Sequence, residues 1–211
     1  MSTLPRSLFW RRTDTVGCDH ALFDDGSGLR ARGTAVAATP LPYTCQYELV
    51  TDEHWVTTRL AVSVEGGGWQ RTVKLEHAAG RWRVTTAERG DLAHALTGAG
   101  RPRPGLPGME DPERLADAVD VDLGAAPLFN SLPVRRLGLL EAPAGTEHRL
   151  TMAWVTVPTL EVFASEQIYT VLDRQRVRYR SSTFTAELDL DERGFVTHYP
   201  GLADRPSGRT P

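Results

Sequence analysis

The sequence predicts a mainly β fold, a many-stranded antiparallel sheet curled into a spiral roll or half-barrel around a single short helix. Three observations lead there: apolar residues recur at every second position through most of the chain, the connections are short and rich in turn residues, and one apolar segment has helical rather than β character. The alternation is clearest in TRLAVSVE (58–65), where Leu60, Val62 and Val64 share a face. In RTVKLEH (71–77), Val73 and Leu75 oppose Thr72, Lys74 and Glu76. EGGGW between them is a hairpin turn. The same pattern predicts strands near 8–13, 18–24, 29–37, 43–51 and 81–86, then at 149–157, 161–172, 176–187 and 195–199. DDGSG, TDEH, AAG, LDRQ and DERG connect them. A sheet of so many strands must curl, close or split to hide its edges.

Two segments break the rhythm. Residues 94–118 begin as a Gly/Pro-rich tract unable to hold helix or strand, then enter MEDPERLADAV, where Asp111 can cap a short helix with Pro112 at its first position. This excursion is either a lid or a loop without function. In NSLPVRRLGLL (130–140), Asn130 or Ser131 can cap, Pro133 suits a first turn, and Leu132, Leu137 and Leu140 fall near helical spacing. That is the single helix.

With 211 residues, 40% of them hydrophobic, the chain can bury one substantial core, so one domain over 1–211 is expected, with a flexible tail from about 203. The formal charge of −3 gives no field for nucleic acid. The basic residues are nearly all arginine, as a GC-rich genome would produce, and Lys74 is the only lysine. The N-terminal stretch is no secretory segment, and no apolar run approaches about 18 residues. The expectation is therefore a cytoplasmic protein without integral membrane association. Cys18 and Cys45 suit two reduced thiols rather than a disulfide framework.

Chemistry is sparsely advertised. The six histidines lack metal-ligand spacing, GSGLRARG near residue 26 sits in a hairpin rather than before a helix, and no GxSxG elbow occurs. Neither a metal nor a cofactor is called for. Asp120 and Asp122 in VDVDL alternate with Val119, Val121 and Leu123, so on a strand they share a face. Arg135 and Arg136 follow in the helix, close enough for opposite charges to meet in a poorly solvated place. Registry of helix against sheet is the first reading of that group, and recognition of a head group the second. Arg176, Arg178 and Arg180 fit a cross-strand ladder with neighbouring acids better than an anion cradle. Among the aromatics, Trp154 and Tyr169 lie in strands with polar neighbours and are the ones placed towards a pocket.

An ordered series of segments resembles a known family: LFWRR (8–12), LPYTCQYELVTDEHWVTTRLAV (41–62), DVDLGAAPLFNSLPVRRL (120–137), AWVTVPTLEV (153–162), QIYTVL (167–172) and FVTHYPGL (195–202). It is similar to the bacterial family named "putative glycolipid-binding", formerly a domain of unknown function. The resemblance implies a spiral β-roll wrapped around one helix, similar in outline to lipoprotein carriers and often dimeric. It carries over no catalytic residues. The 94–118 excursion departs from the family, which has a short link there.

The leading expectation is a non-enzymatic binder of a glycolipid or other amphiphile, with Asp120, Asp122, Arg135, Arg136, Trp154, Gln167, Tyr169 and Tyr179 as candidate ligand contacts inside the curled sheet. The rivals are a hydrolase or isomerase using Asp120 and Asp122 as acid and base, and a ligand-free dimerisation module with a filled core. Whether the space between sheet and helix is empty or packed separates them.

Overall fold

The computed structural model describes residues 4–26 and 28–206. Ser27 of the DDGSG turn and residues 207–211 of the expected tail lie outside them. Fourteen strands form one sheet that curls without closing. The first seven, β1 (Ser7–Arg12), β2 (Gly17–Gly26), β3 (Gly28–Ala37), β4 (Tyr43–Thr51), β5 (Thr57–Gly66), β6 (Trp69–Ala78) and β7 (Arg81–Gly90), run as an antiparallel meander. The second half contains β8 (Ala118–Leu123), β9 (Glu147–Val155), β10 (Val162–Asp173), β11 (Arg176–Arg180), β12 (Thr185–Leu190), β13 (Val196–Tyr199) and β14 (Ala203–Asp204). Pairing of β1 with β14, Arg11 opposite Asp204 and Arg12 opposite Ala203, joins the halves. The two outermost strands of the order are β7 and β8.

Period-two patterning is realised directly: β3 alternates buried and exposed residues along its whole length, and β1 does the same. Close packing on the inner face constrains the smallest residues. A Cβ at Gly33 would lie 1.9 Å from the ring of Tyr47, so glycine there is what lets that ring lie flat across the sheet.

Four sequence expectations are corrected. The stretch 176–187 is two strands, β11 and β12, separated by a turn in which the Ser181 N–H donates to the Phe184 carbonyl at 2.8 Å. β8 pairs with β9 in parallel, so the sheet is antiparallel everywhere except at that edge. The chain has a second short α-helix, α1 (Leu92–Gly98), in a tract read as unable to form one; the Asp91 side chain caps it by accepting from the His94 N–H at 2.8 Å. The tail expected from 203 begins with a paired strand, β14.

The Asp111 cap does form, but on a single 3-10 turn, Pro112–Leu115. Between α1 and that turn the excursion is fastened. Arg71, only 3% exposed, donates to Glu88 at 2.9 and 3.0 Å and to the carbonyls of Gly105 and Thr159 at 2.9 and 2.8 Å. Gly108 exchanges backbone hydrogen bonds with Leu160 and Val162, at 2.7 Å each. One buried guanidinium thus ties β6, β7, the excursion and the loop before β10 together.

The central helix, α2 (Ser131–Arg136), follows a 3-10 turn at Pro127–Asn130 and sits between two apolar clusters. Leu128, Phe129 and Leu132 enter the larger, with Trp10, Leu49, Leu60 and Leu75; Val134 enters the smaller, with Val171, Val177, Leu188 and Val196. Phe129 and Tyr47 meet edge to face, with centroids 5.4 Å apart. Each of the fully buried Leu and Phe side chains contributes about 1.5–3 kcal/mol. The space between the meander and the helix is therefore packed, and the open volume lies elsewhere. Among the described residues, no helix is long and apolar enough to cross a membrane.

Candidate functional site: an aromatic cleft beside the central helix

A cleft of about 330 Å³ in the second half of the roll is lined by three of the eight candidate residues. Its walls come from the end of β8, the Gly124–Ala126 turn, Trp154 of β9, Tyr179 of β11, the Ser181–Phe184 turn, and Tyr199 with the Pro200–Leu202 turn after β13. Local sequence explains each contribution. β8 ends at Gly-Ala-Ala-Pro, where Ala125 has φ +68° and Pro127 opens the 3-10 turn, so the chain reverses at the cleft floor. On β8 the acids do share a face, with Val121 and Leu123 turned into the larger apolar cluster. Trp154 stands opposite Asp122 in the parallel register, and both line the cleft.

Asp122 is the only ionisable carboxyl lining the cleft, and it is 8% exposed. Burial pushes its carboxyl up to about 6, while the hydrogen bond from Gln167 pulls the other way. Gln167 Nε2 donates to Asp122 Oδ2 at 2.6 Å, Tyr169 Oη donates to Gln167 Oε1 at 3.3 Å, and Asn130 Nδ2 donates to Tyr169 Oη at 2.9 Å. This buried chain holds the carboxyl in place from behind, with one oxygen engaged by Gln167. Burial and the neighbouring Asp122 both hold the phenols of Tyr169, Tyr179 and Tyr199 well above the usual tyrosine range, so they stay protonated donors. Phe184, Tyr179 and Tyr199 form a tilted aromatic cluster with centroid separations of 6.1 to 6.4 Å.

Of the eight candidate residues, Asp122, Trp154 and Tyr179 line the cleft, and Gln167 and Tyr169 stand directly behind Asp122. Asp120, Arg135 and Arg136 do not line it. Asp120 is fully buried and receives Arg136 Nε at 3.0 Å and Nη2 at 2.7 Å. Burial raises the Asp120 carboxyl, and Arg136 opposes that rise. Arg135, one residue earlier on the helix, has different partners: its guanidinium lies 4.2 Å from the Trp55 ring centroid and 5.6 Å from that of Phe195, and it donates to the Arg193 carbonyl. The two arginines thus have separate partners, and neither is paired with Asp122. Asp120 is committed to Arg136 and does not line the cleft, so the two acids do not form an acid–base pair across one substrate site. On the outer surface, Arg178 pairs with Glu187 at 2.8 Å, Arg176 with Asp173 at 2.7 Å and Arg180 with Glu147 at 3.6 Å, the ladder arrangement.

Sequence reasoning missed Asn130, Phe184, Tyr199 and the serines of the 181–184 turn. Asn130 reads as a helix cap, but its amide is spent on Tyr169 and it makes no capping bond. One signal was available: the segments DVDL, NSLPVRRL, AWVTVPTLEV, QIYTVL and FVTHYPGL, distant in sequence, each place a residue in the cleft wall or in the chain behind it.

A family model described as "Putative glycolipid-binding" matches residues 7–205. The chain belongs to this family. A crystal structure of a DUF1089 family protein from Pseudomonas aeruginosa resembles this chain with a TM-score of 0.65 and 24% identity, covering 97% of this chain and 95% of that one. The two share the curled sheet from end to end. No curated protein matches the chain.

Proposed function

We propose that the cleft binds the uncharged, hydroxyl-rich head of an amphiphile, a neutral glycolipid being the class that fits. The observation carrying this is the composition of the wall: four aromatic side chains, Trp154, Tyr179, Phe184 and Tyr199, the hydroxyls of Ser181–Thr183, one buried carboxyl, and no cationic side chain among the lining residues. Aromatic faces stack on the apolar faces of sugar rings, and directional donors and acceptors read their hydroxyls. A phosphate or carboxylate head would meet Asp122 with nothing of opposite charge to offset it. The family's description points the same way. Asp122 is the one carboxyl in the wall, and Asp120 is committed to Arg136, so the cleft is read as a binding site.

Titration calorimetry with octyl β-D-glucoside and octyl phosphate, both below micelle formation, tests this. The glucoside should bind, the phosphate should not, and Trp154→Ala should weaken the glucoside at least tenfold, about 1.4 kcal/mol. Sugar hydroxyls donating to Asp122 favour its ionised form, so binding lowers that carboxyl from about 6 and releases a proton. Affinity should therefore rise between pH 5 and pH 7.5. Tighter binding of the phosphate, or a Trp154→Ala protein indistinguishable from wild type, would sink the proposal.

A further inference from the structure

Beside the cleft lies a second opening of about 560 Å³, a groove that shares Trp154, Ser165, Ser181 and Ser182 with it. Its origin is a mismatch in strand length. β10 runs twelve residues, but β11 pairs only with Ile168–Asp173, because β11 stops at Arg180 and the chain turns away at Ser181. Residues 163–167 of β10 consequently have a neighbour on the β9 side alone, and the vacated strand position is the groove. Trp154 and Phe163 meet at a tilt in its wall, ring centroids 5.8 Å apart, and both are substantially exposed, at 37% and 44%. Ala164 and Ile168 continue the apolar lining. The cations at its rim, Arg149 and Arg180, are paired with Glu166 and Glu147, so the rim offers little net charge to an anionic group.

We infer that this groove holds the alkyl chain of the amphiphile whose head occupies the cleft, with Trp154 at the junction; this rests on the head-group reading above. The core side of the cleft cannot take the chain, since Leu128, Phe129 and Leu132 already fill the space beside the helix. The groove is the apolar continuation that shares the cleft's own wall. Covering two exposed aromatic rings with a hydrocarbon chain removes apolar surface from water on both partners, which supplies the driving force.

The test is a series of n-alkyl β-D-glucosides from methyl to octyl, titrated as monomers into wild type and into Phe163→Ser, an exposed position whose change leaves the core intact. Affinity should rise more than tenfold along the series in wild type. Phe163→Ser should lose most of that gain while binding methyl glucoside as wild type does. Affinity independent of chain length, or an undiminished gain in Phe163→Ser, overturns the inference. So does association with phosphatidylcholine vesicles carrying the glucoside when chain length in solution has no effect, because the chain then stays in the bilayer. If no member binds at all, the head-group reading falls and this inference with it.

Discussion

Replacing Arg136 with methionine is expected to cost the fold about 3–5 kcal/mol, and replacing Arg136 and Asp120 together, with methionine and leucine, is expected to cost less than that single change. Asp120 is fully buried, and Arg136 is the partner of its carboxylate. Removing the guanidinium strands a charge in a poorly solvated place, whereas removing both leaves an apolar contact between β8 and α2. For a chain of this size the single change should lower Tm by roughly 10 °C or more. Denaturant melts of the two single mutants and the double mutant form a closed cycle. A double mutant as unstable as Arg136→Met, or more so, contradicts the clasp. The net contribution of the pair to stability is small; its effect is registry, because it fixes how the helix that follows Asn130 sits against the strand that supplies Asp122.

The second large effect is a dependence of stability on pH centred on Asp19. This residue points inward from β2, is fully buried, and accepts from the Tyr47 hydroxyl at 3.1 Å. Burial pushes its carboxyl up to about 7, against the opposing hydrogen bond from Tyr47 and the charge of Arg12. Above the ordinary carboxylate value the unfolded chain has given up the proton that folded Asp19 keeps, so stability falls as pH rises, until Asp19 ionises in the folded protein as well. A rise of about three units corresponds to about 4 kcal/mol across that window. Asp122, raised to about 6, adds a smaller loss of the same sign at lower pH. Asp19→Asn retains an acceptor for Tyr47 and cannot ionise. Urea melts from pH 5 to pH 8 should show wild type losing several kcal/mol and the variant losing markedly less, so that the variant is the more stable protein at pH 8. Parallel stability profiles for the two proteins contradict the assignment.

Much of the fold was legible because burial on one sheet face imposes period two, and that period is local. β3, β5 and β6 could be read almost to the residue for that reason. The β11–β12 turn was hidden because RVRYRSSTFTAEL alternates through it and Ser-Ser-Thr carries no glycine to mark the reversal. α1 was hidden because Asp91, its cap, lies before the tract that looked too glycine-rich to fold. The parallel edge at β8 had no local signature, since it depends on a connection that passes through the central helix. For the site, the acids on β8 and the polar-flanked aromatics of β9 and β10 were visible as residues out of keeping with their strands. Which arginine met which acid was not visible. Arg135 and Arg136 are consecutive, and one step along a helix turns a side chain by roughly 100°, enough to send one to Asp120 and the other to Trp55. Phe184 and Tyr199 reach the cleft only through the curl of the whole sheet, which no local pattern encodes.

The central claim is that the cleft between Asp122, Trp154 and Tyr199 receives a sugar head. The most direct measurement is a crystal structure of protein purified without detergent and soaked in octyl β-D-glucoside. The account predicts a pyranose ring against the Trp154 and Tyr199 faces, with a ring hydroxyl within hydrogen-bond distance of the Asp122 carboxyl. An empty cleft at saturating glucoside, or a sugar bound elsewhere on the roll, would contradict it.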